Sequence, residues 1–146
     1  MSRSQYQAMA LLSASVGIVK LLGKHPQFEH LRPTILWTEE QLSAAIKVWP
    51  VARDGAPLVT WVHHALKKWE EWLIDIPLTV AVRMAEQMVS DLAGRLRDRC
   101  KLALLEEAHS GLLGLADQVD KDGDYEACHC ASEMTKMFYA NIGFVP

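Results

Sequence analysis

Two Glu-x-x-His steps, Glu106 to His109 and Glu126 to His129, are the residues whose types and spacing come nearest to a metal ligand set. Helical bundles with dinuclear iron or manganese centres present such a pair from each of two helices, with bridging carboxylates from two others. Glu86 and Glu71 are the candidates for those bridges. Axial geometry opposes the assembly. If the chain reverses near Asp122, the two motifs lie about fourteen and about six residues from the turn, a mismatch of roughly 13 Å at 1.5 Å per residue. Only a fold-back at Ser110-Gly111 brings them level. With this many histidines and glutamates about 0.4 such matches are expected by chance, so the motif count alone carries little weight. The plainer expectation is four solvated side chains and no cofactor.

The stretch DKDGDYEACHC, from Asp120, opens like a calcium loop. Such a loop needs alternating oxygen ligands, glycine at position six and a bidentate glutamate at position twelve. Counting from Asp120 puts Tyr125 and Ala131 at those places, and counting from Gln118 puts Gly123 and His129 there. Either register lacks the final carboxylate. A turn made by Asp120, Asp122 and Gly123, with Asp124 capping the helix that follows, accounts for the same residues. Cys128, His129 and Cys130 are successive, so on a helix the two sulfurs diverge by about 200° and cannot grip one zinc. Cys128 is expected in the core and His129 in solvent.

Other chemistry is excluded by its missing parts. GIVKLLGK has five residues between its glycines where a phosphate loop needs four, and no G-x-S-x-G or H-E-x-x-H occurs. His63 and His64 point about 100° apart on a helix, too far to share a proton. Arg95, Arg97, Arg99 and Lys101 invite a phosphate-binding reading, with Arg95 and Arg99 on one helical face as the nucleic-acid candidates. Arg97 and Lys101 take nearly the opposite face, so the basic charge is spread as on an ordinary solvated helix. Five tryptophans are many for 146 residues. Trp61 and Trp72 fall at one margin of an apolar arc beside His64 and Lys68, and tryptophan is a frequent anchor of protein interfaces. These four residues are the candidate protein-binding surface.

The elements that position these groups are helices. Apolar residues recur every three to four positions from Ser4 to Gly23, at Met9, Leu12, Val16, Val19 and Leu22. KHPQFEHLRPTILW carries two prolines and reads as a loop laid over the core by Phe28, Leu31, Ile35 and Trp37. Thr38 and Gln41 form a capping box for a short second helix ending at Pro50, with Leu42, Ala45, Ile46 and Trp49 inward. A third runs from Pro57 to about Leu73, with Lys67 and Glu71 opposite its apolar arc. Leu78, Val82, Ala85, Val89, Leu92 and Leu96 then make a heptad-like seam along a long central segment, 76 to 109. Gly94 costs about 1 kcal/mol against alanine, too little to end that segment, so Ser110-Gly111 is the expected break. A final helix runs from Asp124 to about Ala140, with Cys128, Ala131, Met134 and Phe138 inward.

No segment alternates with period two, so the expectation is all-α: one domain over 1–146, a bundle of five or six helices around one long helix. The net charge of −3 with 23% charged residues argues against a polybasic nucleic-acid binder. Three cysteines make no disulfide framework and suggest a reducing, cytoplasmic setting. AMALLSASVGIV has the character of a signal-peptide core, yet it runs into Lys20 and keeps helical period through Leu22, so a core helix is expected. No run of about eighteen apolar residues marks a membrane span. With no catalytic constellation and an excess of tryptophan, the sequence favours a noncatalytic protein-binding module. An anti-CRISPR-like inhibitor of a host complex, from a phage or mobile element, would have this character. The partner is then a protein or complex, or a second copy through the heptad stripe; nucleic acid and membrane are not expected partners.

Overall fold

A computed structural model describes residues 3–49, 67, 71, 73 and 75–146. The described elements are α1 (Arg3–Gly23), a 3-10 helix (Pro26–Leu31), α2 (Arg32–Val48), α3 (Leu78–Gly94), α4 (Arg99–Val119) and α5 (Tyr125–Ile142), with no strand among the described residues. The described residues form an all-helical fold, as the periodicity requires.

Four of the helices close a ring in the order α1, α2, α4, α3, and α5 packs on the outside of α3. Lys20 reaches Glu39, and the place of a Gly23 Cβ faces Ile35, so α1 and α2 are antiparallel. Trp49 meets Lys101 while Thr38 meets Gly111, so α2 and α4 are antiparallel too. The ring encloses Leu11, Ile18, Leu42, Met88, Leu105 and Leu112, all fully buried. Close packing of this kind is the principal stabilising term for a chain of this size.

Most of the expected seam holds: Val82, Ala85, Val89 and Leu92 are buried, while Leu78 and Leu96 are partly buried. α3 is buried over most of its circumference, because α1, α4 and α5 all touch it. The expected single helix from 76 to 109 is not formed. α3 stops at Gly94, Arg95 and Leu96 close tight turns onto Leu92 and Ala93, and Asp98 caps α4 by accepting from the Cys100 and Lys101 amides. A helix cap contributes about 1 kcal/mol. Added to the cost of Gly94 and to the antiparallel packing of α3 on α4, it makes two helices the stable outcome.

Ser110 and Gly111, the expected break, lie inside α4. Gly111 has a packing role: a Cβ there would collide with Thr38 Oγ1 and come within 3.1 Å of Thr38 Cβ and Trp37 Cζ3. The glycine lets α2 and α4 approach closely.

α2 also begins earlier than its capping box. Pro33 occupies the first turn, where a missing N–H costs nothing, so the helix starts at Arg32. Thr38 is consequently mid-helix and buried, its hydroxyl donating to the Thr34 carbonyl at 2.7 Å. Trp49 ends the helix in extended backbone, the conformation expected before Pro50. Most of the expected third helix lies outside the described residues; of its described positions, Lys67, Glu71 and Leu73 are helical, with Leu73 buried and the other two exposed, as the arc predicts.

α1 is the one described helix long and apolar enough to cross a membrane, over Gln5–Gly23, and 56% of that window is buried inside the molecule. The test is met because α1 is covered by both α2 and α3 and so carries apolar residues on more than one side.

The chain's two ends are clasped together. Gly143, in the left-handed region at φ 71, terminates α5 and turns Phe144 back onto Tyr139, with ring centroids 4.6 Å apart. Gln7 donates to the Gly143 carbonyl at 2.7 Å, and the Arg95 guanidinium lies 4.7 Å from the Phe144 ring centroid. Tyr139 Oη donates to Asp91 Oδ2 at 2.8 Å. Burial first, then that hydrogen bond and the carboxylate's charge, push the phenol well above its ordinary value of 10.0. The unfolded chain releases this proton at lower pH than the folded one. The stabilisation is therefore complete below the ordinary phenol pKa and is lost as pH rises beyond it. Urea midpoints measured across that range should fall more steeply for the native sequence than for Tyr139→Phe; parallel profiles would contradict the assignment.

Candidate functional site

Three regions gather polar or exposed groups of functional interest. The first is an ion-pair network between α3 and α4. Arg83 reaches Glu86 and Asp117, each at 3.5 Å, and Glu86 Oε1 lies 3.6 Å from His109 Nε2. An open cleft of about 250 Å³ beside it is lined by Arg83, Glu86, Gln87, Ser90, Asp91 and Cys128. His109 Nε2 and Arg83 Nε are buried atoms that make no hydrogen bond among the described residues. A catalytic imidazole needs a nucleophile or substrate proton within hydrogen-bond reach. The network joins Arg83 and the His109 ring to two carboxylates on both helices, which suits it to tethering α3 to α4.

The expected metal residues are only partly brought together. Glu86, one of the two bridging candidates, does meet His109. Glu106 points to solvent on α4, while Glu126 and His129 are exposed on α5. No three His, Cys, Asp or Glu side chains converge on an ion position among the described residues. A fold-back at Ser110-Gly111 would have been needed, and α4 runs straight through it.

The second region is the end of the bundle, where an open cleft of about 730 Å³ lies between Phe28, His30, Thr79 and the Asp120–Asp124 loop. The acidic loop is a turn. Asp120 is buried and uses both carboxylate oxygens on the Asp124 amide, Gly123 has φ 62, and Asp124 accepts from the Glu126 amide. Cys128 is exposed, contrary to its expected place in the core. Ala131 and Phe138 are buried as expected, while Ala127 and Thr135 take the buried places expected for Cys128 and Met134.

Arg95 and Arg99 do not share a helix face as expected. Arg95 is the C-terminal cap of α3, its guanidinium over Phe144, and Arg99 is the first residue of α4. Lys101 sits over the Trp49 ring. Two of the four basic groups are thus engaged within the molecule. Trp61, His64, Lys68 and Trp72 lie outside the described residues.

The third region is the outer face of α2 and α4, whose α2 part up to Trp37 falls in the stretch expected to be a core-covering loop. Leu31 and Ile35 are buried as expected, but Trp37 is 38% exposed and Leu36 beside it 54% exposed. Trp37 lies across α4 at Gly111, and its neighbours on that surface are Glu40 on α2 and Glu107, Ser110 and Gly114 on α4, all exposed. The signal was present in the sequence. Winding the helix back to Arg32 aligns Ile35, Thr38, Leu42 and Ala45 as the buried stripe and leaves Leu36, Trp37 and Glu40 outside it. Exposed leucine next to exposed tryptophan on a rigid helix is the composition of a protein contact surface. Comparison with known proteins matched no family model, no curated protein and no solved structure.

Proposed function

We propose that this chain is a noncatalytic protein-binding module that presents the outer face of α2 and α4 to a protein partner. The observation carrying the reading is the adjacent exposure of Leu36 and Trp37 on a helix whose opposite side is fully packed. Such a surface is pre-organised, so little side-chain or backbone order is lost on binding. The free, exposed thiols of Cys100, Cys128 and Cys130 support a reducing, cytoplasmic setting. An inhibitor of a host complex, which acts by occupying a partner's surface, needs nothing more than a face of this kind.

Pull-down from a host lysate, followed by affinity measurement on the captured protein, tests the proposal. Leu36→Ser should weaken binding at least tenfold, as expected of an interface anchor, while leaving helicity and thermal midpoint nearly unchanged. Trp37→Ala should weaken it further but also costs stability through the lost contact with α4. Trp72→Ala and Lys68→Ala report on the other candidate surface. If Leu36→Ser keeps native affinity for every partner, the α2/α4 face is not the binding surface.

A further inference from the structure

We infer that the partner contacts this face through a basic, arginine-bearing segment; the inference rests on the protein-binding reading above. Glu40 and Glu107 flank the tryptophan from the two helices. Glu40 is one turn along α2 from Trp37, and Glu107 is one turn along α4 from Gly111, where Trp37 crosses. Because α2 and α4 are antiparallel, both displacements run the same way and place the two carboxylates at one level beside the ring. Both are exposed, and neither has an ion pair among the described residues, although Lys20, Arg32 and Arg83 pair with other carboxylates. Two exposed carboxylates on adjacent helices, with no cation of the described residues in ion-pair reach, leave local negative charge for a partner's cation.

Ser110 and Gly114 keep the α4 side of the surface low, and a Cβ at Gly114 would meet nothing within 4 Å. Together these features form a partly exposed indole with two exposed carboxylates near it and open space at Gly114 beside it. A guanidinium fits that combination better than other side chains: it stacks on indole and donates to carboxylates in its own plane. An apolar neighbour in the same segment would cover Leu36.

Titrating the full chain with a short synthetic helical peptide, leucine and arginine on one face, tests this directly. A second peptide with glutamate for arginine is the comparison. The arginine peptide should bind, shift the Trp37 indole N–H resonance and weaken as salt is raised, while the glutamate peptide should not bind. The variant Glu40→Gln with Glu107→Gln should lose roughly five- to tenfold in affinity. A variant of equal net charge, Glu126→Gln with Glu133→Gln on α5, the helix that packs against α3 across the ring from α2, should lose almost nothing. Equal loss in both variants means unspecific attraction and overturns the inference, as does an unmoved indole resonance. If Leu36→Ser weakens capture of a lysate partner while the Glu40/Glu107 variant does not, the protein-binding reading stands and the basic-partner inference fails.

Discussion

Gly111→Ala should destabilise the protein by about 2–3 kcal/mol, while Gly114→Ala, one turn further along the same helix, should stabilise it by about 0.5–1 kcal/mol. The two substitutions add the same methyl group to the interior of α4 and gain the same helix propensity. They differ in what the methyl meets. At Gly114 there is open space, whereas at Gly111 it enters the contact with Thr38 and Trp37. Thr38 is buried and held by its own bond to the Thr34 carbonyl, so it has little room to turn away. Relief therefore requires α2 and α4 to separate, which loosens Leu42 and Leu112 behind them. Chemical denaturation of both variants checks the pair; equal effects would mean that the helices do not cross at Gly111. Because Trp37 lies at this crossing, Gly111→Ala should also weaken partner binding, and Gly114→Ala should not.

Phe144→Ala should cost about 3–4 kcal/mol, a large share of the 5–15 kcal/mol by which domains of this size are usually stable. The residue is third from the end of the chain, yet only 4% exposed. It fills the space between Tyr139, on α5, and Arg95, at the end of α3. Its loss removes the aromatic contact and exposes the partly buried Tyr139–Asp91 bond further to water. Removing only the cation, by Arg95→Ala, should cost about 1 kcal/mol or less, since an exposed cation–π contact is worth about 0.5–1 kcal/mol. Thermal midpoints of the two variants test the ordering. Comparable effects would show the clasp to be electrostatic rather than a matter of packing.

Helix content and the buried stripes could be read from the chain itself. The period of apolar residues fixes α1, the seam of α3 and the inward face of α5 to within a residue, because a helix must bury one side whatever its neighbours are. The Asp124 cap and the Gly123 turn were equally legible, each being a local backbone requirement met within a few residues. The break was not. Gly94 and Gly111 look alike in sequence, and local propensity cannot distinguish a glycine that ends a helix from one that admits a neighbouring helix. That distinction belongs to the antiparallel pairings of α3 with α4 and of α2 with α4. The same pairings decide that Trp37 lies on the outside over Gly111, that His109 meets Glu86 instead of Glu126, and that Arg95 stacks on Phe144. Each depends on residues far apart in the chain, brought together by burial of the shared core and not by any preference of the residues themselves.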